Sequence, residues 1–177
     1  MYQKETTQYL EIAKESAVFT PDDIAIIEEV LSAYALYPEK DYFLLEEKEK
    51  DIPIGFILFG KNTLTSFSWE IYWISVKKDF QGQGVGKKLL RRLEDFILKR
   101  EPCVILRVET SSTPPYQHAR ILYNKLGFEE CGRIANFYGE NDDWIVYYKQ
   151  IGVPESENMI FNIHEFKESS CAQKTSV

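Results

Sequence analysis

The sequence predicts a single domain of the α/β class, and three observations support this prediction. The chain has 177 residues, a length that suits one ordinary domain. Its apolar fraction of 44% supplies enough side chains to build a core. An aromatic and β-branched segment at 69–76 leads into a glycine-rich loop and then an amphipathic segment, so a strand, a loop and a helix follow one another.

The N-terminal part of the chain predicts two helices and a hairpin. Periodicity does not decide between a helix and a strand for residues 8–17, and we favour a helix. The segment Thr20–Asp23 has the pattern of a capped helix start, and Tyr37–Pro38 ends that helix. Residues 41–51 and 54–59 are typical of two strands joined by a turn in a charged stretch.

The rest of the chain predicts further helices and strands. Apolar residues within 85–97 recur at helical spacing on one stripe. Residues 104–110 predict a strand, and residues 119–126 predict a short helix. Residues 130–138 and 144–150 predict a closing hairpin.

Composition argues against several functional classes. Lys plus Arg number 21 against 28 Asp plus Glu, and a net charge of −7 argues against nucleic acid or anionic lipid as a partner. No apolar run approaches the roughly 18 residues of a membrane span, and we expect a soluble cytoplasmic protein. The three cysteines match no metal or redox spacing, so we expect no metal site. We expect the domain to cover residues 1–151, with residues 152–177 as a loosely docked or disordered tail.

The loop Gln81-Gly82-Gln83-Gly84-Val85-Gly86-Lys87 fits neither common phosphate-binding motif, since Lys87 stands where a dinucleotide fingerprint needs its third glycine. A glycine turn before a helix nevertheless presents backbone N–H groups that bind an anion. Lys87 and Lys88 oppose the helix dipole unless an anion is bound. We predict a phosphate site here; the alternative is a structural turn with solvated lysines.

Two segments resemble the signatures of the GNAT N-acetyltransferase superfamily. Gln81–Gly86 matches its Q/R-x-x-G-x-G/A motif, and Ala119–Phe128 resembles its A-x-x-L-Y-x-x-x-G-F motif. The resemblance covers roughly residues 20–150 and implies the fold of that family. This fold is a mixed, mostly antiparallel twisted sheet flanked by helices, in which the strands at 69–76 and 104–110 splay apart.

The resemblance implies acetyl-CoA as cosubstrate and no metal. In that family the loop backbone holds the pyrophosphate, and the pantetheine arm lies between the splayed strands. The residues assigned to acetyl-CoA on this basis are Ile74, Val76, Gln81, Gly82, Gln83, Gly84, Val85, Gly86 and Lys87.

Acetyl transfer to an amine requires a neutral amine, a stabilised oxyanion and a proton for the departing thiolate. The resemblance assigns the base role to Glu70, with an ordered water as the alternative. It assigns the oxyanion to the backbone N–H of Val76 and the acid role to Tyr123, which is otherwise a packing tyrosine. Tyr116 departs from the pattern, because many members carry an asparagine there.

The acceptor is less well defined by the sequence. Acidic and aromatic residues of the last hairpin are expected on its rim, and they suit a small cationic amine. An ordinary polar hairpin tip explains them equally well. We predict an N-acetyltransferase acting by direct attack in a ternary complex, the alternative being a non-catalytic acyl-CoA-binding sensor; a homodimer is left open. The rim residues are Phe137, Tyr138, Glu140, Asp142, Asp143 and Trp144.

Overall fold

The computed structural model describes residues 2–153, which form four α-helices and six β-strands. Each predicted helix and strand is present, and the segment at 8–17 belongs to a helix. The predicted tail lies outside the described residues from residue 154 onward. The helices are α1 (Tyr2–Glu15), α2 (Pro21–Leu36), α3 (Val85–Leu98) and α4 (Gln117–Lys125), and the strands are β1 (Phe43–Glu49), β2 (Ile52–Lys61), β3 (Ser68–Val76), β4 (Cys103–Ser111), β5 (Glu129–Gly139) and β6 (Asp142–Gly152).

A capping box fixes the start of α2. The hydroxyl of Thr20 accepts the backbone N–H of Asp23 at 3.1 Å, and the Asp23 carboxylate accepts the backbone N–H of Thr20 at 2.9 Å. Such caps stabilise a helix by about 1 kcal/mol. The capping box that the sequence predicts is therefore confirmed.

The strands form one sheet in the order β1-β2-β3-β4-β6-β5. Neighbouring strands run antiparallel except β3 and β4, which are parallel. One face of the sheet packs against α3 and α4, and the β1–β3 part of the other face packs against α1 and α2. The predicted stripe of α3 is buried, with at most 6% exposure for Val85, Leu89, Leu90, Leu93 and Ile97.

The two central strands separate along their length, as predicted. Pairing between β3 and β4 runs from Ser68 opposite Ile105 to Ile71 opposite Val108 and stops there. β3 has a bulge at the same place. Leu58 and Phe59 are consecutive in β2 but lie opposite Trp73 and Ile71, so Tyr72 of β3 has no partner in the ladder. A bulge bends its strand and strengthens the local twist, which turns the end of β3 away from β4.

No helix in the part of the chain that the structure describes is long and apolar enough to cross a membrane.

Candidate functional site

The separation of β3 and β4 opens a cleft of about 1320 Å³. The glycine loop, α4, the start of α2 and the β5–β6 hairpin complete its walls. Gln83 does not line the cleft; its side-chain amide donates to the carbonyl of Asp79 at 2.7 Å and holds the loop from outside. The other candidate residues all line the cleft, namely Glu70, Ile74, Val76, Gln81, Gly82, Gly84, Val85, Gly86, Lys87 and Tyr123.

The glycine loop is shaped to leave room for a ligand. Gly82 and Gly84 have φ of +73° and +84°, in the left-handed region that favours glycine. A Cβ atom added at either residue would meet no atom within 4 Å, so the space in front of the loop is open. Gly86 has a different role, since its Cβ would lie 3.0 Å from Leu122 Cδ2; glycine here lets α3 approach α4 closely.

The first turn of α3 follows this loop, lines the cleft and carries backbone donors without an intrahelical acceptor. Lys88 is the first residue whose N–H reaches a carbonyl of the helix, donating to Gly84 at 3.0 Å. The N–H groups of the residues before it therefore have no intrahelical acceptor. The first turn carries no acidic residue, and Lys87 adds a positive charge. Helix dipole and side chain together favour an anion at this position.

Gln81 ties the loop to the end of β3. Its side-chain amide donates to the carbonyl of Val76 at 3.1 Å and to the carbonyl of Ser16 at 3.5 Å. One glutamine thus joins the loop, the last residue of β3 and the segment after α1.

The register of β3 directs the backbone N–H of Val76 into the gap. Lys77 donates to the carbonyl of Ile54 at 2.9 Å, so the next pair, Val76 with Gly55, is a pair without mutual hydrogen bonds. The backbone groups of Val76 then point toward β4, where pairing has already ended at Ile71. This N–H therefore points into the space between the two strands.

Tyr123 lies on α4 and is only 3% exposed. Its ring packs between Phe128 and Tyr147, with centroid distances of 5.6 and 5.8 Å. Burial raises the pKa of Tyr123 well above its ordinary value. The phenol lines the cleft and is protonated at neutral pH, as an ordinary tyrosine also is, so it is a candidate proton donor.

Glu70 lies on β3, and its carboxylate is held by two neighbours. Its Oε1 atom accepts a hydrogen bond from the Asn62 side-chain amide and lies 3.2 Å from Nη2 of Arg107. The Glu70 side chain is 19% exposed, so its carboxylate is largely shielded from solvent. It lines the cleft on the side opposite the helices α3 and α4.

The predicted acceptor rim is only partly at the cleft. Tyr138 and Asp142 line it, whereas Phe137, Glu140, Asp143 and Trp144 do not. The Asp143 carboxylate instead accepts from Arg133 at 2.9 Å and from the backbone of Asn136, and these bonds lower the pKa of Asp143. The prediction that Phe137, Glu140, Asp143 and Trp144 lie on the acceptor rim is therefore wrong, because the hairpin places them away from the cleft.

Asp23, Glu109 and Tyr116 also line the cleft, although sequence reasoning did not assign them to the acceptor side. The Tyr116 hydroxyl donates to Asp23 at 3.5 Å, and burial followed by the charge of Asp23 raises the pKa of Tyr116. Asp23 was recognisable only as a helix cap, and Glu109 only as part of a strand. The one available signal was Tyr116, which replaces the asparagine common in the GNAT pattern.

A sequence profile of the acetyltransferase (GNAT) domain matches residues 38–130, more than half of the chain. The chain belongs to the GNAT acetyltransferase family. The predicted family and fold are both confirmed.

Among the residues that the structure describes, no group of three or more His, Cys, Asp or Glu side chains is arranged to hold a metal ion.

The chain is similar to several named N-acetyltransferases. It is 36% identical over 72 residues to N-alpha-acetyltransferase RimI of Mycobacterium tuberculosis, a match that spans 41% of this chain and 42% of that relative. The ribosomal-protein-S18-alanine N-acetyltransferase of Escherichia coli superimposes with a TM-score of 0.71 at 22% identity, covering 89% of this chain and 94% of that one. An aminoglycoside 6'-N-acetyltransferase complexed with coenzyme A superimposes with a TM-score of 0.66 at 19% identity, covering 85% and 93%. The two superpositions show a shared fold.

Proposed function

We propose that this chain transfers the acetyl group of acetyl-CoA to a primary amine by direct attack in a ternary complex. One observation carries the proposal: the glycine loop, the free N–H of Val76 and the protonated Tyr123 line the same cleft. An anion site, an oxyanion donor and a proton donor are the three groups that a thioester donor needs from its enzyme. The fold shared with a coenzyme A complex supports the same donor.

The residues divide the reaction between them. Gly82, Gly84 and the first turn of α3 would hold the pyrophosphate, and acetyl-CoA supplies the activated thioester. The amine nitrogen bonds to the acetyl carbon while the carbon–sulfur bond breaks. Val76 N–H stabilises the charge on the carbonyl oxygen, and Tyr123 gives its proton to the departing sulfur. Glu70 takes the proton that the amine loses, directly or through a water molecule.

The acceptor that fits this cleft best is a small cationic amine. The carboxylates of Asp23, Glu109 and Asp142 line the cleft, together with the rings of Tyr116 and Tyr138. Carboxylates and aromatic faces attract ammonium groups. The net charge of −7 adds a long-range field of the same sign. An acceptor with a second positive charge, remote from the reacting nitrogen, would use these groups.

The test is calorimetric titration with acetyl-CoA, followed by thiol release against a panel of mono-, di- and polyamines and of peptides with free N-termini. We expect saturable binding and turnover on the cationic small amines. Turnover confined to peptides would overturn the acceptor class and keep the reaction. Binding without turnover on any amine would favour the non-catalytic sensor, and absence of binding would overturn the proposal.

Asp142→Asn is expected to raise KM for a diamine about three- to tenfold, because roughly 1 kcal/mol of attraction is lost in a partly solvated cleft. The asparagine keeps a side-chain oxygen for the Ser111 hydroxyl that donates to Asp142. KM for a monoamine of equal length should change less, and the Kd for acetyl-CoA should not change. Steady-state kinetics with 1,4-diaminobutane and butylamine measure this difference.

The neighbouring Asp143 provides the matched control. It carries the same charge in the same hairpin but binds Arg133 and does not line the cleft. Asp143→Asn should leave both KM values as they are. Equal KM values for the diamine in wild type and Asp142→Asn would remove Asp142 from the acceptor site.

A further inference from the structure

The fork between β3 and β4 is occupied by an ion pair. Glu70 and Arg107 lie directly opposite each other in the parallel register, one pair before the last, which joins Ile71 and Val108. The Arg107 guanidinium approaches Oε1 of Glu70 at 3.2 Å. The carboxylate of the candidate base is therefore attached to the other strand at the point where the cleft begins.

This pair belongs to a chain of polar contacts that links β3, β4 and β6 with the residue just beyond β2. The Asn62 amide, just beyond β2, donates to Oε1 of Glu70. Nη2 of Arg107 also lies 2.8 Å from Oε1 of Glu109, whose Oε2 accepts the indole N–H of Trp144 at 2.7 Å. The contacts run from β2 to the β5–β6 hairpin and connect the candidate base with the acceptor side of the cleft.

The contacts select one oxygen of Glu70. Both Asn62 and Arg107 engage Oε1, which leaves Oε2 to receive a proton from the cleft. A general base works only when its acceptor oxygen is held within hydrogen-bond reach of the proton that it takes. Without these two partners the Glu70 carboxylate would move between rotamers and would not be held in this way.

Arg107 is held in this position although its own hydrogen bonding is incomplete. Its Nε atom is buried and has no hydrogen-bond partner among residues 2–153. An unsatisfied buried donor costs about 1–3 kcal/mol, and such costs in native structures concentrate at functional sites. The position of Arg107 is therefore explained by its contacts with the carboxylates of Glu70 and Glu109, and not by complete hydrogen bonding of its guanidinium.

We infer that Arg107 is a positioning residue, which orients Glu70 so that Oε2 faces the acceptor amine. The inference rests on the proposed function. Arg107 also lies between Glu70 and Glu109, with Nη2 within 3.2 and 2.8 Å of the two carboxylates. Without the guanidinium these like charges would repel each other and turn Glu70 away from its working orientation.

The test is a double-mutant cycle on kcat with Glu70→Gln, Arg107→Gln and the combined variant. We expect Glu70→Gln to lower kcat about 100-fold, the lower range for loss of a general base, and Arg107→Gln to lower it about tenfold. The combined variant should be no slower than Glu70→Gln, because Arg107 acts through Glu70. Arg107→Lys, which keeps the charge, should recover part of the rate, and it replaces Arg107→Gln in the cycle if the latter does not fold.

Two further measurements separate positioning from a structural role. The Kd for acetyl-CoA and the thermal midpoint are measured for every variant, and we expect the Kd to stay within twofold of wild type. Arg92 supplies the matched control, since it pairs with Glu47 at 2.9 Å between α3 and β1 and does not line the cleft. Arg92→Gln should retain the wild-type kcat.

Several outcomes would overturn the inference alone. Additive losses in the combined variant would mean that Arg107 acts independently of Glu70. An unchanged kcat in Arg107→Gln, or in Glu70→Gln while wild type still transfers acetyl groups, would equally contradict it. Absence of transfer by the wild-type protein on every amine would instead overturn the proposed function, and the inference would fall with it.

Discussion

Gly84→Glu is expected to raise the Kd for acetyl-CoA at least 100-fold while the protein remains folded. Gly84 caps α3 at φ +84°, and a side chain there would extend into the open space before the loop. A carboxylate in that space would itself bind the backbone N–H donors and the charge of Lys87. It would also repel the negatively charged pyrophosphate of acetyl-CoA. Isothermal titration with acetyl-CoA measures the effect, and circular dichroism confirms the fold.

Alanine variants separate backbone strain from loss of the anion site. A non-glycine residue in the left-handed region costs roughly 1–2 kcal/mol, so Gly84→Ala should destabilise the protein by that amount. It adds no charge, and we expect its Kd to rise less than tenfold. Gly127 has φ +83° at the end of α4 and does not line the cleft. Gly127→Ala should destabilise equally and bind normally. A wild-type Kd in Gly84→Glu would mean that the phosphates bind elsewhere.

Local patterns account for the elements and for the donor half of the site. The apolar spacing within 85–97 predicts α3 and its buried stripe because a helix must cover one face of the sheet. The cap at Thr20 and the glycines at 82 and 84 are equally local, since each acts on its own backbone. Residues whose role is set by neighbours in sequence can thus be found without a structure.

The acceptor half depends on contacts between distant segments. Glu70 meets Arg107 only because β3 and β4 pair in one register, and a shift of one strand by one residue would place the two side chains on opposite faces of the sheet. Tyr116 meets Asp23, 93 residues away, because the chain between them folds back over the cleft. The bulge at Tyr72 has no sequence signal that we could identify, yet it determines where the strands part.

Tyr123→Phe is expected to lower kcat about 100-fold, at the lower end of the range for loss of a general acid. The substitution removes only the hydroxyl, and the ring contacts with Phe128 and Tyr147 are retained. The Kd for acetyl-CoA should therefore remain within twofold of wild type. Thiol release at saturating substrates gives kcat, and titration gives the Kd.

The raised pKa of Tyr123 adds a pH dependence with a defined sign. Because burial keeps the phenol protonated, Tyr123 should produce no basic limb in kcat below pH 10, its ordinary value. Above pH 10 the Tyr123 phenol loses its proton in the unfolded chain but keeps it in the folded protein, so the free energy of unfolding falls as pH rises. Tyr123→Phe lacks this contribution, and its stability should decline less between pH 10 and pH 12. Urea denaturation across that range measures the difference.

Tyr147 separates the role of the hydroxyl from that of a buried tyrosine in general. It is also 3% exposed and packs against Tyr123, but it does not line the cleft, and its hydroxyl donates to Glu130 at 3.5 Å. Tyr147→Phe should therefore keep the wild-type kcat, with at most about 1 kcal/mol lost in stability. Equal kcat values in the two phenylalanine variants would assign protonation of the sulfur to water. A 100-fold loss confined to Tyr123→Phe, with the Kd unchanged, would show that the Tyr123 hydroxyl acts in turnover and not in binding of the donor, as expected of an acid on α4.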